Sequence, residues 1–328
     1  MTGFVTADRG IGEFAVVDAV PEFVVVVFAA VTHLADPWFL FGLLALGYWF
    51  ASDRVSAAPR RAGATAIAVV TCAYAVVALG KAWFAVPRPP GAMGPADVPV
   101  WLPGALSAWY EAQVLSDGFG FPSGHATGGA AAYGALALLY DRTWTQRRRL
   151  LVAAAVALAV AASRVVIEVH FLVDVLAGVL VGGTVVGGAL WLAGDSRFRG
   201  WWGRRRHALD GGVAPTTALD PLPVFLLAAI LSLLAAGVAL AAGDTGEVVE
   251  AGIGIATGVG GALGWLLVDG DEPPVSARVA APALLATGGL WVGAYAVSSS
   301  FLVTVSATTA AVAVVIALPA LPALTVRE

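Results

Sequence analysis

Three short stretches of this chain hold side chains suited to acid–base and nucleophilic work on a charged substrate. The first is Lys81, six residues, then Arg88-Pro89. The second is Pro122-Ser123-Gly124-His125. The third is Ser163-Arg164, five residues, His170, three residues, Asp174. Two arginines and a lysine converging on one spot would hold a multiply charged anion. The planar forks of Arg88 and Arg164 match phosphate oxygens, and Lys81 adds a point charge. Ser123 and Gly124 precede a run that reads as a helix, whose first backbone N–H groups and dipole also favour an anion. His170 and Asp174 are four apart and would share a helical face. A carboxylate that accepts from one ring nitrogen fixes the tautomer and frees the other nitrogen to attack. His125, from another segment, would protonate the leaving oxygen. These parts suffice for phosphoryl transfer through a phosphohistidine, with no metal and no cofactor required.

Taken singly, each residue has a plainer reading. A histidine at the end of a span is usually a structural hydrogen-bonder, and Lys81 and Arg88 alone would pass for side chains snorkelling to an interface. Ser163 stands evenly between a phosphate contact and a helix-end hydrogen bond. Glu168, inside the third stretch, reads as a rim or supporting group. His33, His207 and the single cysteine, Cys72, carry no assigned role.

The elements that must position these residues are membrane helices. Of 328 residues, 59% are hydrophobic and 12% charged, with mean hydropathy +0.86, a composition outside the soluble range. With one cysteine no intrachain disulfide is possible. Residues 1–20 carry Asp8, Arg9, Glu13 and Asp18 and lack a signal-peptide pattern, so the first span is expected to direct insertion. Ten candidate spans run over 20–35, 38–52, 62–82, 124–140, 149–166, 170–193, 222–242, 248–268, 279–298 and 301–323; the first is the weakest, because Pro21 and Glu22 shorten its apolar run. Fold class is therefore all-α, a polytopic bundle. Residues 1–195 form a six-helix core, 196–221 a basic linker, and 222–328 a four-helix region without an assigned role.

Loop charge gives an orientation. Fifteen of the eighteen Lys and Arg residues, including Arg9, Arg54, Arg60, Arg61, Arg142, Arg147 to Arg149, Arg204 to Arg206, Arg278 and Arg327, fall on one side under the ten-span count. The positive-inside rule makes that side cytoplasmic, with both termini. Lys81, Arg88 and Arg164 are the remaining three, and they face the other side. The connection 83–122 carries Trp101, Trp109 and Tyr110 and reads as a short interfacial helix or a packed re-entrant loop. One geometric demand is specific. Six residues from Arg164 to His170 on a straight helix would point these side chains about 240° apart, so the helix must break between Val165 and Val169 for both to reach one phosphate.

The three stretches together resemble the signature of the type 2 phosphatidic acid phosphatase superfamily, which also contains the vanadium haloperoxidases: Lys-x6-Arg-Pro, Pro-Ser-Gly-His and Ser-Arg-x5-His-x3-Asp. The resemblance covers roughly residues 20–195. It implies that His170 is the nucleophile, Asp174 its partner and His125 the general acid. It also implies that Lys81, Arg88, Arg164, Ser123 and the Gly124 amide hold the phosphate. The activity so implied is hydrolysis of a lipid phosphate or pyrophosphate at the extracytoplasmic face. Isoprenoid pyrophosphates, phosphatidic acid and phosphatidylglycerol-type phosphates are all candidates. Partners are the lipid substrate and membrane lipids, not nucleic acid, and the sequence is silent on oligomeric state. Phosphotransfer to another acceptor, vanadate-dependent halide oxidation and a non-enzymatic anion transporter are the competing readings.

Overall fold

The computed structural model describes residues 9–195, 215–268 and 277–320. Regular structure among them is helical, in the order α1 (Glu13–Val17), α2 (Glu22–Val31), α3 (Pro37–Phe50), α4 (Pro59–Phe84), α5 (Gly104–Val114), α6 (Gly124–Leu139), α7 (Gln146–Val166), α8 (Leu172–Leu192), α9 (Leu222–Ala242), α10 (Thr245–Leu266), α11 (Ala277–Val297) and α12 (Phe301–Ala317). α4 is the hub. Its buried positions include Ala62, Ala64, Ala66, Ala68, Ala73 and Ala75, side chains small enough for several helices to approach at once. It packs against α3, α6 and α8 on one side and α9 and α10 on the other. The C-terminal helices are thus fastened to the helix that carries Lys81.

Five helices, α4 and α7 to α10, are long and apolar enough to cross a bilayer, and the protein is a membrane protein. Leu151, Leu158, Leu176, Leu180 and Leu233 project from α7, α8 and α9 with half or more of their surface uncovered, as side chains facing lipid would. Among the described residues the helices that qualify as full spans are five, or six if the bent pair below is one span, against the ten expected. The expected spans 20–35 and 38–52 are one broken path: α2 has 10 residues, about 15 Å, and meets α3 at a bend of 48° beside Asp36. α12, with 17 residues, is at the short end for a crossing.

The bundle has two ends. At one, Arg60 donates to the Tyr48 carbonyl, Arg142 Nη1 to Asp53 O at 2.8 Å and Arg61 Nη1 to Leu219 O at 3.0 Å. The C-terminal part of α12 returns to this end, where Tyr48 Oη donates to Ile316 O at 2.6 Å. The opposite end carries the three motifs. Arg9 lies there too, against its expected grouping with the basic loops: Nε and Nη2 donate to the two Asp174 oxygens at 3.1 and 3.0 Å. The described chain therefore begins at the motif end, with Arg9 at the end opposite Arg60 and Arg61. Loop counting ranks charges by sequence position, and a buried carboxylate claimed this one. Arg197, Arg199, Arg204 to Arg206, His207 and Arg327 lie outside the described residues, as does most of the 196–221 linker. In the long connection 83–122, α5 supplies a short helix, the first of the two expected readings.

Candidate active site

Each motif is set by a local feature of the chain. α7 ends at Val166, and Glu168 takes a left-handed conformation at φ 56. A non-glycine residue there costs about 1–2 kcal/mol, and the gain is a fold-back in which the amides of Val169 and His170 both donate to Arg164 O, at 3.2 and 3.1 Å. The break thus falls within Val165–Val169, where the Arg164–His170 spacing demands it, and brings the His170 backbone against Arg164. α8 begins only at Leu172, so His170 and Asp174 do not share a helical face. Asp174 sits in the first turn of α8, its Oδ2 accepting from the Phe171 amide at 3.1 Å, and His170 lies just ahead of the helix.

Ser123 is the N-cap of α6, its hydroxyl accepting from the Ala126 amide, and its own amide donates to Asp174 O at 3.1 Å. The second and third motifs are joined by that bond and by bare glycines beneath it. A Cβ on Gly178 would come within 2.8 Å of Ser123 O, and one on Gly182 within 2.6 Å of Thr127 O. Only glycine lets α8 approach α6 this closely.

A cavity of about 480 Å³ opens at this end, and Lys81, Arg88, Gly124, His125, Arg164 and His170 all line it. His170 is 1% exposed and Asp174 fully buried. Arg88 Nη1 donates to His170 Nε2 at 2.9 Å. A guanidinium cannot accept, so Nε2 holds the lone pair and Nδ1 the proton. Nδ1 faces Asp174 Oδ2 at 3.5 Å, beyond ordinary hydrogen-bond length, with the Gly120 backbone also beside the ring. The Asp174 carboxylate is instead turned toward the fork of Arg9, which also stacks on Phe171 at 4.7 Å and donates to Pro87 O at 3.0 Å. Burial first, then the charges of Arg88, Arg164 and His125, push the His170 imidazole well below its ordinary 6.5.

Arg164 is buried. One nitrogen, Nη1, donates to Thr32 Oγ1 at 2.5 Å, while Nε has no hydrogen-bond partner. A buried guanidinium with an unused donor is an exception that an incoming anion would remove. Lys81 Nζ meets Glu250 Oε2 of α10 at 3.2 Å. Arg88 also donates through Nε to Asp117 O at 2.7 Å. Ser163 does not face the cavity cations: its hydroxyl donates to Val160 O at 2.6 Å within its own helix, the helix-end alternative.

Five residues of this site carry no sequence motif. Asp36, at the bend between α2 and α3, accepts from His125 Nε2 through Oδ1 at 2.9 Å. Its Oδ2 accepts from His33 Nδ1 at 2.6 Å and from Trp38 Nε1 at 2.9 Å. Trp109 Nε1 donates to His33 Nε2 at 2.9 Å, which leaves Nδ1 as the ring nitrogen bearing the proton. His33, given no role in the sequence, belongs to this chain of bonds; so does Trp109 of α5. Thr32 and Arg9 complete the set. The one available signal was the break in apolar character at Thr32 to Asp36, inside what otherwise reads as two spans.

Such an arrangement can clamp an anion between three cations, present a lone pair at His170 Nε2 and deliver a proton from His125. No curated protein and no solved structure matches the chain. A family model, described as the PAP2 superfamily, matches residues 62–198. That stretch runs from α4 through α8 and holds all three motifs, and this segment of the chain is a PAP2-superfamily domain, of the phosphatase and phosphotransferase type.

Proposed function

We propose that the protein is an integral membrane phosphatase that removes phosphate from a lipid phosphate or pyrophosphate at the extracytoplasmic face. His170 Nε2 attacks phosphorus, the bond from phosphorus to the leaving oxygen breaks, and His125 gives that oxygen its proton. Water then attacks the phosphohistidine and returns its proton to His125. The N–P bond breaks and inorganic phosphate leaves. Lys81, Arg88, Arg164 and the Gly124 amide hold the phosphate oxygens through both steps. Asp174 lies ready to receive the Nδ1 proton's positive charge, and Ser123 holds the start of α6 in place.

The observation that carries this reading is the hydrogen bond from Arg88 to His170 Nε2. It identifies the nitrogen with the free lone pair, and an arriving phosphate would take over the guanidinium and uncover that pair. His125 bonds Asp36 through Nε2, so Nδ1 is the atom that passes the proton, with Asp36 balancing the imidazolium. The extracytoplasmic assignment follows from the basic loops at the opposite end. Isoprenoid carriers are the favoured substrates, because their recycling requires hydrolysis on the outer face.

A phosphate-release panel of lipid phosphates and pyrophosphates with purified protein tests the reading. Release is expected for at least one of them, to persist in chelator and to be blocked by vanadate, which mimics the trigonal-bipyramidal phosphoryl group. No release across the panel would overturn it.

The pH dependence follows from the sign of the His170 shift. Attack needs the neutral imidazole. Burial and nearby cations disfavour the protonated form, so the neutral form persists as pH falls below 6.5. The acid limb of kcat/KM, which reports the free enzyme, is therefore expected below pH 6.5. A limb for His170 at or above that value would contradict the arrangement of its neighbours.

A further inference from the structure

The cavity that holds the catalytic cluster does not end at it. From Lys81 and His170 it continues between α4 and the C-terminal helices, past Phe41, Tyr74 and Val77 on one side and Ile253, Gly254 and Trp291 on the other, down to Thr71, Ser232 and Thr257. Thr71 precedes Lys81 by ten residues on α4, about 15 Å along the helix axis. Thr257 lies seven residues beyond Glu250 on α10, about 10 Å further from the motif end. Half of a bilayer's hydrocarbon is about 15 Å thick. One end of the cavity is therefore cationic and the other reaches toward the depth of the bilayer centre.

Of the three hydroxyls at the deep end, only Ser232 Oγ is left without a hydrogen-bond partner. Thr71 Oγ1 donates to Ile67 O at 2.9 Å and Thr257 Oγ1 to Ile253 O at 2.8 Å. Both hydroxyls are thus spent on their own helices, and each threonine has its methyl left over for the cavity. Gly254 lets α10 close on α9 along this wall, since a Cβ there would stand 2.4 Å from Ser232 Oγ. The C-terminal wall also reaches the cationic end, through the Glu250–Lys81 pair at 3.2 Å.

We propose that the C-terminal helices α9 to α11 form the second wall of the substrate site and hold the substrate's long apolar chain. The proposal rests on the phosphatase reading and gives α9 to α11 a role. A soluble phosphate ester would leave the deep end unused. A lipid phosphate fills both ends at once, and burying its chain contributes about 0.8 kcal/mol per methylene. α9 and α10 then sort substrates by chain, while the PAP2 segment does the chemistry.

The test uses purified full-length protein and two monoesters, octadecyl phosphate and butyl phosphate. Thr257→Phe fills the deep end, away from every catalytic group. It is expected to lower kcat/KM for octadecyl phosphate by about tenfold or more, the equivalent of roughly two lost methylenes, and to leave butyl phosphate within about twofold. Ile253→Ala, which widens the wall without blocking it, is expected to weaken the long-chain preference in a chain that keeps its butyl phosphate rate. An equal fall on both esters in both variants, or no change on octadecyl phosphate in either, would overturn the assignment of the C-terminal wall. If the unmodified protein hydrolysed neither ester nor any lipid phosphate, the phosphatase reading itself would fail.

Discussion

His170→Asn is expected to reduce phosphate release by about 10⁴-fold or more, the scale on which loss of a nucleophile acts. Asparagine suits the test because its side-chain oxygen can still accept from Arg88, which now donates to His170 Nε2 at 2.9 Å. The cationic pocket then keeps its partner. The unmodified protein, quenched during turnover of a labelled lipid phosphate, is expected to carry acid-labile phosphate, and His170→Asn none. Melting temperatures within a few degrees of each other would show that the loss is chemical. A variant retaining more than a tenth of the rate would remove His170 from the mechanism.

The second large effect is expected at Asp36. Its carboxylate accepts from His125, His33 and Trp38, so it both orients the His125 ring and balances the charge that ring must carry as an acid. Asp36→Asn removes that charge and offers an N–H where the network needs an acceptor. The expected loss of kcat on alkyl phosphates is about 10²–10⁴-fold, the contribution of a positioned general acid, with KM changed little because Asp36 lines no phosphate contact. Leaving-group dependence separates this role from a structural one. p-Nitrophenyl phosphate departs without protonation, so its rate is expected to fall far less than that of an alkyl ester. Asp36→Glu should restore part of the alkyl rate. Equal losses on both ester types would leave Asp36 as a fold residue only.

These two residues differ in how far the sequence announces them. His170 stands in a stretch whose spacing carries its own geometry. Arg164 and His170 cannot both face one phosphate from a straight helix, and the chain answers with a helix end at Val166 and a left-handed Glu168. The N-cap at Ser123 and the helical character of nearly every apolar run are equally local. Each depends on residues within a turn or two, so pattern alone suffices.

Asp36 had no such signal, nor had His33, Thr32 or Arg9. Their partners lie 89 residues away for Asp36 and His125, 132 for Thr32 and Arg164, and 165 for Arg9 and Asp174. The expectation that Arg9 belonged with the basic loops failed for the same reason. A charge near a span end reads identically in sequence whether it faces water or a buried carboxylate. The expectation that His170 and Asp174 share a helical face failed locally, because α8 begins at Leu172, two residues after the expected start of its span.

By itself the sequence determined the membrane class, the helical elements, the three motifs and the break between Arg164 and His170. These depend on composition and short-range spacing, and helix geometry converts spacing directly into direction. The tertiary structure alone decided which polar groups meet. It set Asp36 behind His125, gave Asp174 to Arg9, and placed α9 to α11 along the cavity below Lys81. Apolar helices of similar length can pack in many orders. What selects one is the approach of particular small residues, such as Gly178 and Gly182 against α6, together with the requirement that every buried charge find a partner.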